Sequence, residues 1–374
     1  MEKRSILLAC LGIALGGGQP AAQATQSLFR SLDVDSAFVD RKLHDNPVYR
    51  SIVYDQATDA ALLITRQPGV NLNSNEPLIF PLEPTLNVKV QLHDSSSPQT
   101  GLAVWTGSIP DSSLGLDDPD NSILMVEHAK VLMGSLRYKG QLYQITPINE
   151  KIHAVVKVNE HRLQDASGLQ PTTISNGNCS MDNLPTEIEI NVLLVLTRQS
   201  KAALLDPVAT FGLMLAEANQ GFGRSQLPIT LKSGGILSLS HNESPAQNTP
   251  DIMLDLLTKT SEGIGKEVLA RRFSNAADQA TLLFAKNSST DSAKAVPSSA
   301  REDSLAVIKS AYATGTGLFA RSIGRNLGAY HQLANAEQKP DFLNGQPRHP
   351  DSVAQDCDRT RLLVKAREMQ DFFP

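Results

Sequence analysis

Between residues 50 and 158 short apolar runs alternate with polar breaks at intervals too tight for helices. Runs at 50–54, 61–65, 86–92, 101–107, 122–126, 130–137, 141–145 and 153–158 are rich in residues that suit a pleated, half-buried surface. Turn-forming residues separate them at 95–98, at 117–121 and at Lys139-Gly140. The pattern predicts a β-rich domain over 25–165. Residues 166–187, rich in Ser, Asn, Gly, Pro and Thr, break the rhythm and read as a linker. Beyond it the period changes. A continuous apolar stretch at 188–197 predicts a strand buried on both faces. Helical spacing follows at 208–222, a second strand begins at Ile229, and helices are predicted at 251–260 and 264–273. Residues 277–285 read as another strand, 288–304 as a loop, 305–312 as a short strand or helix, and 360–372 as a final helix. Alternating strands and helices place residues 188–374 in the α/β class.

The N-terminus adds a location. Lys3 and Arg4 precede an apolar run at 6–15, and small residues lead to Ala22-Gln23-Ala24. That order predicts a signal peptide over 1–24, and the run is too short to span a bilayer. A secreted or periplasmic protein is expected, with no membrane attachment once the leader is gone. A net charge of −5 and scattered basic residues point away from nucleic acid. Cys179 and Cys357 lie beyond the leader, and in an oxidising compartment they predict one disulfide.

The candidate chemistry lies at 317–332, GLFARSIGRNLGAYHQ. Its spacing at positions 321, 325, 328 and 331 resembles the zinc helix of metzincin metalloendopeptidases, His-Glu-x-x-His-x-x-Gly-x-x-His. A second resemblance runs through Trp105, Met133-Gly-Ser-Leu-Arg, Gly140-Gln-Leu-Tyr-Gln-Ile-Thr-Pro and His153-Ala-Val-Val, which are similar to the prosegment of secreted bacterial metzincins. A third lies in the 188–197 strand, the helix carrying Ala218-Asn219-Gln220, and Ala277-Asp278 opening a central strand. Together these resemble the reprolysin-like, peptidyl-Asp-type metalloendopeptidases. The resemblance implies a metzincin-like α/β domain over 188–374 behind a prosegment-like β-rich domain. In active relatives the linker is where the prosegment is cut away, and 288–304 is where they place an edge strand.

The spacing survives and the chemistry does not. Residues four apart share one helix face, so two imidazoles there reach one metal, and the glycine turns the chain so that a third joins them. The glutamate takes a proton from the metal-bound water. This chain has Arg321 and Arg325 at the first two ligand positions and Ser322 at the glutamate; Gly328 and His331 remain. A guanidinium stays protonated and offers no lone pair. It also repels a divalent cation, by about 4 kcal/mol per unit-charge pair at roughly 4 Å and intermediate dielectric. Gln332 replaces the aspartate of relatives, and no methionine lies between His331 and the final helix to form their methionine turn.

The sequence therefore predicts no catalytic residue and no cofactor, although the family uses zinc. The leading reading is a catalytically inactive homologue acting by binding or regulation on a peptide or protein, such as an active protease or its substrate. A residually active zinc metalloendopeptidase with unconventional ligands and a structural envelope protein are the alternatives. Arg321 and Arg325, one turn apart, form a possible anion-binding pair. His128, His153 and His161 read as ordinary strand or loop histidines. His241, Asp341, His349 and Asp351 match no metal-site template.

Overall fold

The computed structural model describes residues 26–32, 42–73, 76–110, 118–163, 187–244, 249–285, 292–296 and 304–327. The leader, nearly all of the linker, Cys179, and everything from Gly328 onward, His331 and Cys357 included, lie outside the described residues.

The N-terminal part contains β1 (Gln26–Ser27), β2 (Phe29–Ser31), α1 (Pro47–Val53), β3 (Thr58–Arg66), β4 (Leu78–Glu83) and β5 (Leu86–Gln99). It continues with β6 (Leu102–Ser108), β7 (Ser122–His128), β8 (Val131–Tyr138), β9 (Gln141–Pro147) and β10 (Ile152–Val158). They pair in the order β1-β4-β5-β6-β7-β8-β9-β10-β3-β2. The two ends of that order are halves of one extended segment. Gln26 and Ser27 pair in parallel with Leu78 and Ile79 of β4, while Phe29 to Ser31 pair antiparallel with β3. Residues 26–31 thereby close the sheet into a ring.

From β7 to β10 both faces of that ring are covered, which is why those strands read as near-continuous apolar runs. On β7, Ile123 and Met125 join one buried cluster with Phe29, Phe80, Trp105, Tyr143 and Val155, whereas Leu124 and Val126 join another with Leu102, Val104 and Met133. The period of two along a strand sends neighbours to opposite faces. His153 sits among the first group, its ring centroid 5.4 Å from that of Phe29. Neither of its ring nitrogens meets a hydrogen-bond partner, and burial pushes its pKa down to about 4.

The C-terminal part contains β11 (Ile188–Leu196), α2 (Arg198–Ala202), α3 (Pro207–Arg224), β12 (Ile229–Ser238), α4 (Pro250–Thr258), α5 (Gly263–Ser274) and β13 (Gln279–Phe284). β14 (Ala293–Ala295), β15 (Leu305–Lys309), a 3-10 turn (Ser310–Tyr312) and α6 (Leu318–Asn326) follow. The sheet order is β12-β11-β13-β15-β14, all neighbours parallel except the antiparallel pair β14 and β15. Asn219 fastens α3 to this sheet: its side-chain amide accepts from Leu231 N at 2.7 Å and donates to Leu231 O at 3.0 Å. The whole is a mixed, sheet-rich fold. Among the described residues no helix is long and apolar enough to cross a membrane.

Three expectations are corrected. Residues 50–53 are helical, with Tyr54 as the C-cap, and not a strand: Pro47 opens α1 and the Asn46 side chain accepts Tyr49 N at 2.9 Å, a capping signal that outweighs the β-formers behind it. Residues 95–98 are not a turn but the exposed end of β5, paired to β6, and the reversal falls at 100–101. Residues 288–304 are not wholly loop, since Ala293–Ala295 pair with β15. For 305–312 the outcome is a strand followed by the 3-10 turn.

Candidate functional site

Helix α6 carries the degenerate motif. Gly317, at φ 69°, sets a left-handed step that only glycine takes cheaply, and the helix begins directly after it. Leu318, Phe319, Ala320, Ile323 and then Leu327 are buried and join the largest apolar cluster. Every residue of the helix is buried except Arg321, which is half-buried. Ser322 is 2% exposed and Arg325 8%. Asn326, fully buried, sits beside Gln279 of β13 and the carbonyls of Val296 and Leu305, tying the helix to the sheet.

Positions 321, 322 and 325 thus occupy one turn of a helix, filled by a guanidinium, a hydroxyl and a second guanidinium. The two arginines have different surroundings. Arg321 donates to the Thr316 carbonyl at 3.0 Å and borders a cleft; Arg325 is packed against the core. The donor chemistry does not fit zinc. Among the described residues there is also no group of three or more His, Cys, Asp or Glu side chains able to hold a metal. Gly328 and His331 lie outside the described residues.

The cleft has a volume of about 860 Å³. One wall comes from the ring (Ser135, Arg137, Lys139, Glu160, His161), the other from α3 and the approach to α6 (Glu217, Arg224, Thr316, Arg321). At its base the backbone leading into α6 is gripped from both sides. Glu217 of α3 accepts from the Ser135 hydroxyl of β8 at 2.7 Å and, through both oxygens, from Gly315 N at 2.8 and 2.7 Å. Arg137 makes a two-pronged pair with Glu160 at 2.7 and 2.8 Å and donates to the Gly315 carbonyl at 3.2 Å. Gln144 of β9 donates to Thr314 O at 2.7 Å and to Ala311 O at 3.3 Å. Desolvation raises the Glu217 pKa to about 7, against the pull of its hydrogen bonds and of Arg137.

A second polar junction lies below. Lys309 and Asp55 pair at 2.6 Å with side chains 13% and 4% exposed, and the Tyr312 hydroxyl also bonds Asp55. Burial and that carboxylate raise the Tyr312 pKa. His128 bonds Asp206 at 2.7 Å, the same carboxylate group that caps α3. His161 borders the cleft, and the carbonyl of His241 accepts from Arg198 N at 3.1 Å. Sequence reasoning missed Glu217, Arg137 and Gln144. One signal was available: Glu217 is the sole charged residue within 208–222.

No protein-family model matches the chain. It is 29% identical, over 92% of its length and 84% of the relative's, to a peptidyl-Asp metalloendopeptidase of Stenotrophomonas maltophilia (strain R551-3). It is 23% identical, over 91% of its length and 82% of the relative's, to the protein of that name in Xanthomonas campestris pv. campestris. Among solved structures, metalloproteinase-II from Bacteroides fragilis matches 78% of this chain and 92% of its own at 12% identity and a TM-score of 0.43, too loose a likeness to build on. The motif spacing and the similarity to named peptidases over most of the chain agree: the chain is a metallopeptidase-like protein.

Proposed function

We propose that this chain is a metallopeptidase homologue without zinc chemistry, exported by its leader and acting by binding or regulation through the cleft beside Arg321. The observation that carries this reading is the donor set of α6. Arg321 and Arg325 stand at the first two ligand positions and Ser322 at the position of the base. Arginine cannot release the proton that a metal would displace, and serine has no anionic oxygen with which to activate water. With two of three ligands cationic, one imidazole at His331 does not hold zinc usefully. The metzincin-like layout of the C-terminal part and the prosegment-like character of the ring belong to the same proposal. The four-parallel, one-antiparallel sheet and the edge strand at Ala293–Ala295 support them. A peptide or protein, such as an active protease or its substrate, is the partner this reading implies.

Metal analysis of the purified protein, joined to a peptide-cleavage assay with and without chelator, tests it. The expected result is substoichiometric zinc and no chelator-sensitive cleavage. One tightly held zinc per chain with chelator-abolished cleavage overturns the proposal in favour of an enzyme with unconventional ligands.

A further inference from the structure

The outer face of the ring presents Leu102, Val104, Leu124, Val126 and Met133 on β6 to β8, each no more than 7% exposed. Helix α3 covers them, with Ala209 and Leu213 completing the cluster. The approach is close: a Cβ built on Gly212 of α3 falls 2.6 Å from a Leu102 methyl carbon. Farther along, Leu142, Ala154, Val156 and Val158 of β9 and β10 belong to one continuous cluster with Met214 and Phe222 of α3 and Phe319 and Ile323 of α6. The two halves of the chain do not each own a core along this face.

Polar contacts cross the same face at its margins. His128 reaches Asp206, Ser135 reaches Glu217, Arg137 reaches Gly315, Gln144 reaches Ala311 and Thr314, and Asp55 takes Lys309 and Tyr312. An apolar centre continuous between the halves and rimmed by satisfied polar pairs is packed like a domain interior, and parting the halves would expose it to water.

We infer that the outer face of β6 to β10 is a built interface for α3, α6 and segment 310–317 of the same chain, and that the two halves stay associated after the chain between them is cut. In this protein the prosegment-like ring is a lasting partner. The cleft beside Arg321, which needs a wall from each half, therefore outlives cleavage. The inference deepens the binding reading, since it makes the cleft joint property of both halves, yet it stands on the interface alone. Its test measures association, so its failure is distinguishable from failure of the proposed function.

A site-specific protease sequence inserted within 164–175 leaves Cys179 and Cys357 on the same fragment. The folded protein is cut, completeness is checked on a denaturing gel, and the product is passed over a sizing column in native buffer. Both fragments are expected in one peak at the mass of the uncut chain; two separated fragments overturn the inference. The uncut chain gives a second readout. Trp105, the sole tryptophan, reports the ring, and far-ultraviolet dichroism reports mainly the helices of the other half. In urea the two signals are expected to change together, and a tryptophan transition clearly apart from the helical one overturns the inference equally.

Discussion

Glu217 and His153 bend the pH dependence of stability in opposite directions, and removing either uncovers the other. The slope of stability with pH follows the difference in protons bound by the unfolded and folded chains. Glu217 titrates at about 7 when folded, against an ordinary value of 4.5. Between those values the folded chain holds a proton that the unfolded chain has given up, so stability falls as pH rises. At about 1.4 kcal/mol per pKa unit the total is about 3 kcal/mol, an upper bound because the side chain borders the cleft. His153 titrates at about 4 when folded, against 6.5. Between those values the unfolded chain holds the extra proton, so stability climbs with pH by about 3 kcal/mol. Where the windows overlap, from 4.5 to 6.5, the two slopes cancel. Urea unfolding across this range is the assay, with variants compared to wild type so that other groups drop out. Glu217→Gln is expected to gain stability relative to wild type as pH rises through the Glu217 window; His153→Phe is expected to lose stability relative to wild type as pH rises through the His153 window. A Glu217→Gln curve that runs parallel to wild type refutes the assignment of a neutral, buried carboxyl to this junction.

Three further outcomes follow from single contacts. Asp55→Ala leaves the Lys309 ammonium and Tyr312 hydroxyl buried without their carboxylate, an expected loss of about 3 to 5 kcal/mol in urea unfolding. Asp55→Leu combined with Lys309→Met should recover much of that loss, because an apolar pair carries no desolvation penalty. Asn219→Ala strips the backbone N–H and carbonyl of Leu231 of their side-chain amide partner, and a loss of about 2 kcal/mol is expected from the same measurement.

How far the sequence spoke depends on how local each feature is. The strands of the ring were legible because burial on two faces writes continuous runs such as 122–126 and 153–158. Helix α3 was legible from its spacing, and α6 from the intact 321, 325, 328, 331 frame. What escaped was written across distance. β4 hides behind Pro81, and β1 and β2 are too short to signal themselves; β1 depends on Leu78 and Ile79, 52 residues on, and β2 on β3, 33 to 37 residues on. The grip on 310–317 escaped for the same reason. Gln144 and Arg137 are unremarkable in their own strands, and Glu217, though the sole charge within 208–222, gains its meaning only when two halves of the chain face each other. α1 was misread because its runs were weighed by β-preference, while the Asn46-Pro47 start signal was passed over.

The six residues at 26–31 carry a consequence out of proportion to their number. A sheet with free margins offers two rows of unpaired amides and carbonyls, and a stranger's strand can add to either. Here one short segment stitches both margins together, half of it to β4 and half to β3. Trimming the chain past Ser31 would reopen both rows in a single step. The chain's vulnerability to strand-on-strand aggregation therefore resides in those six residues.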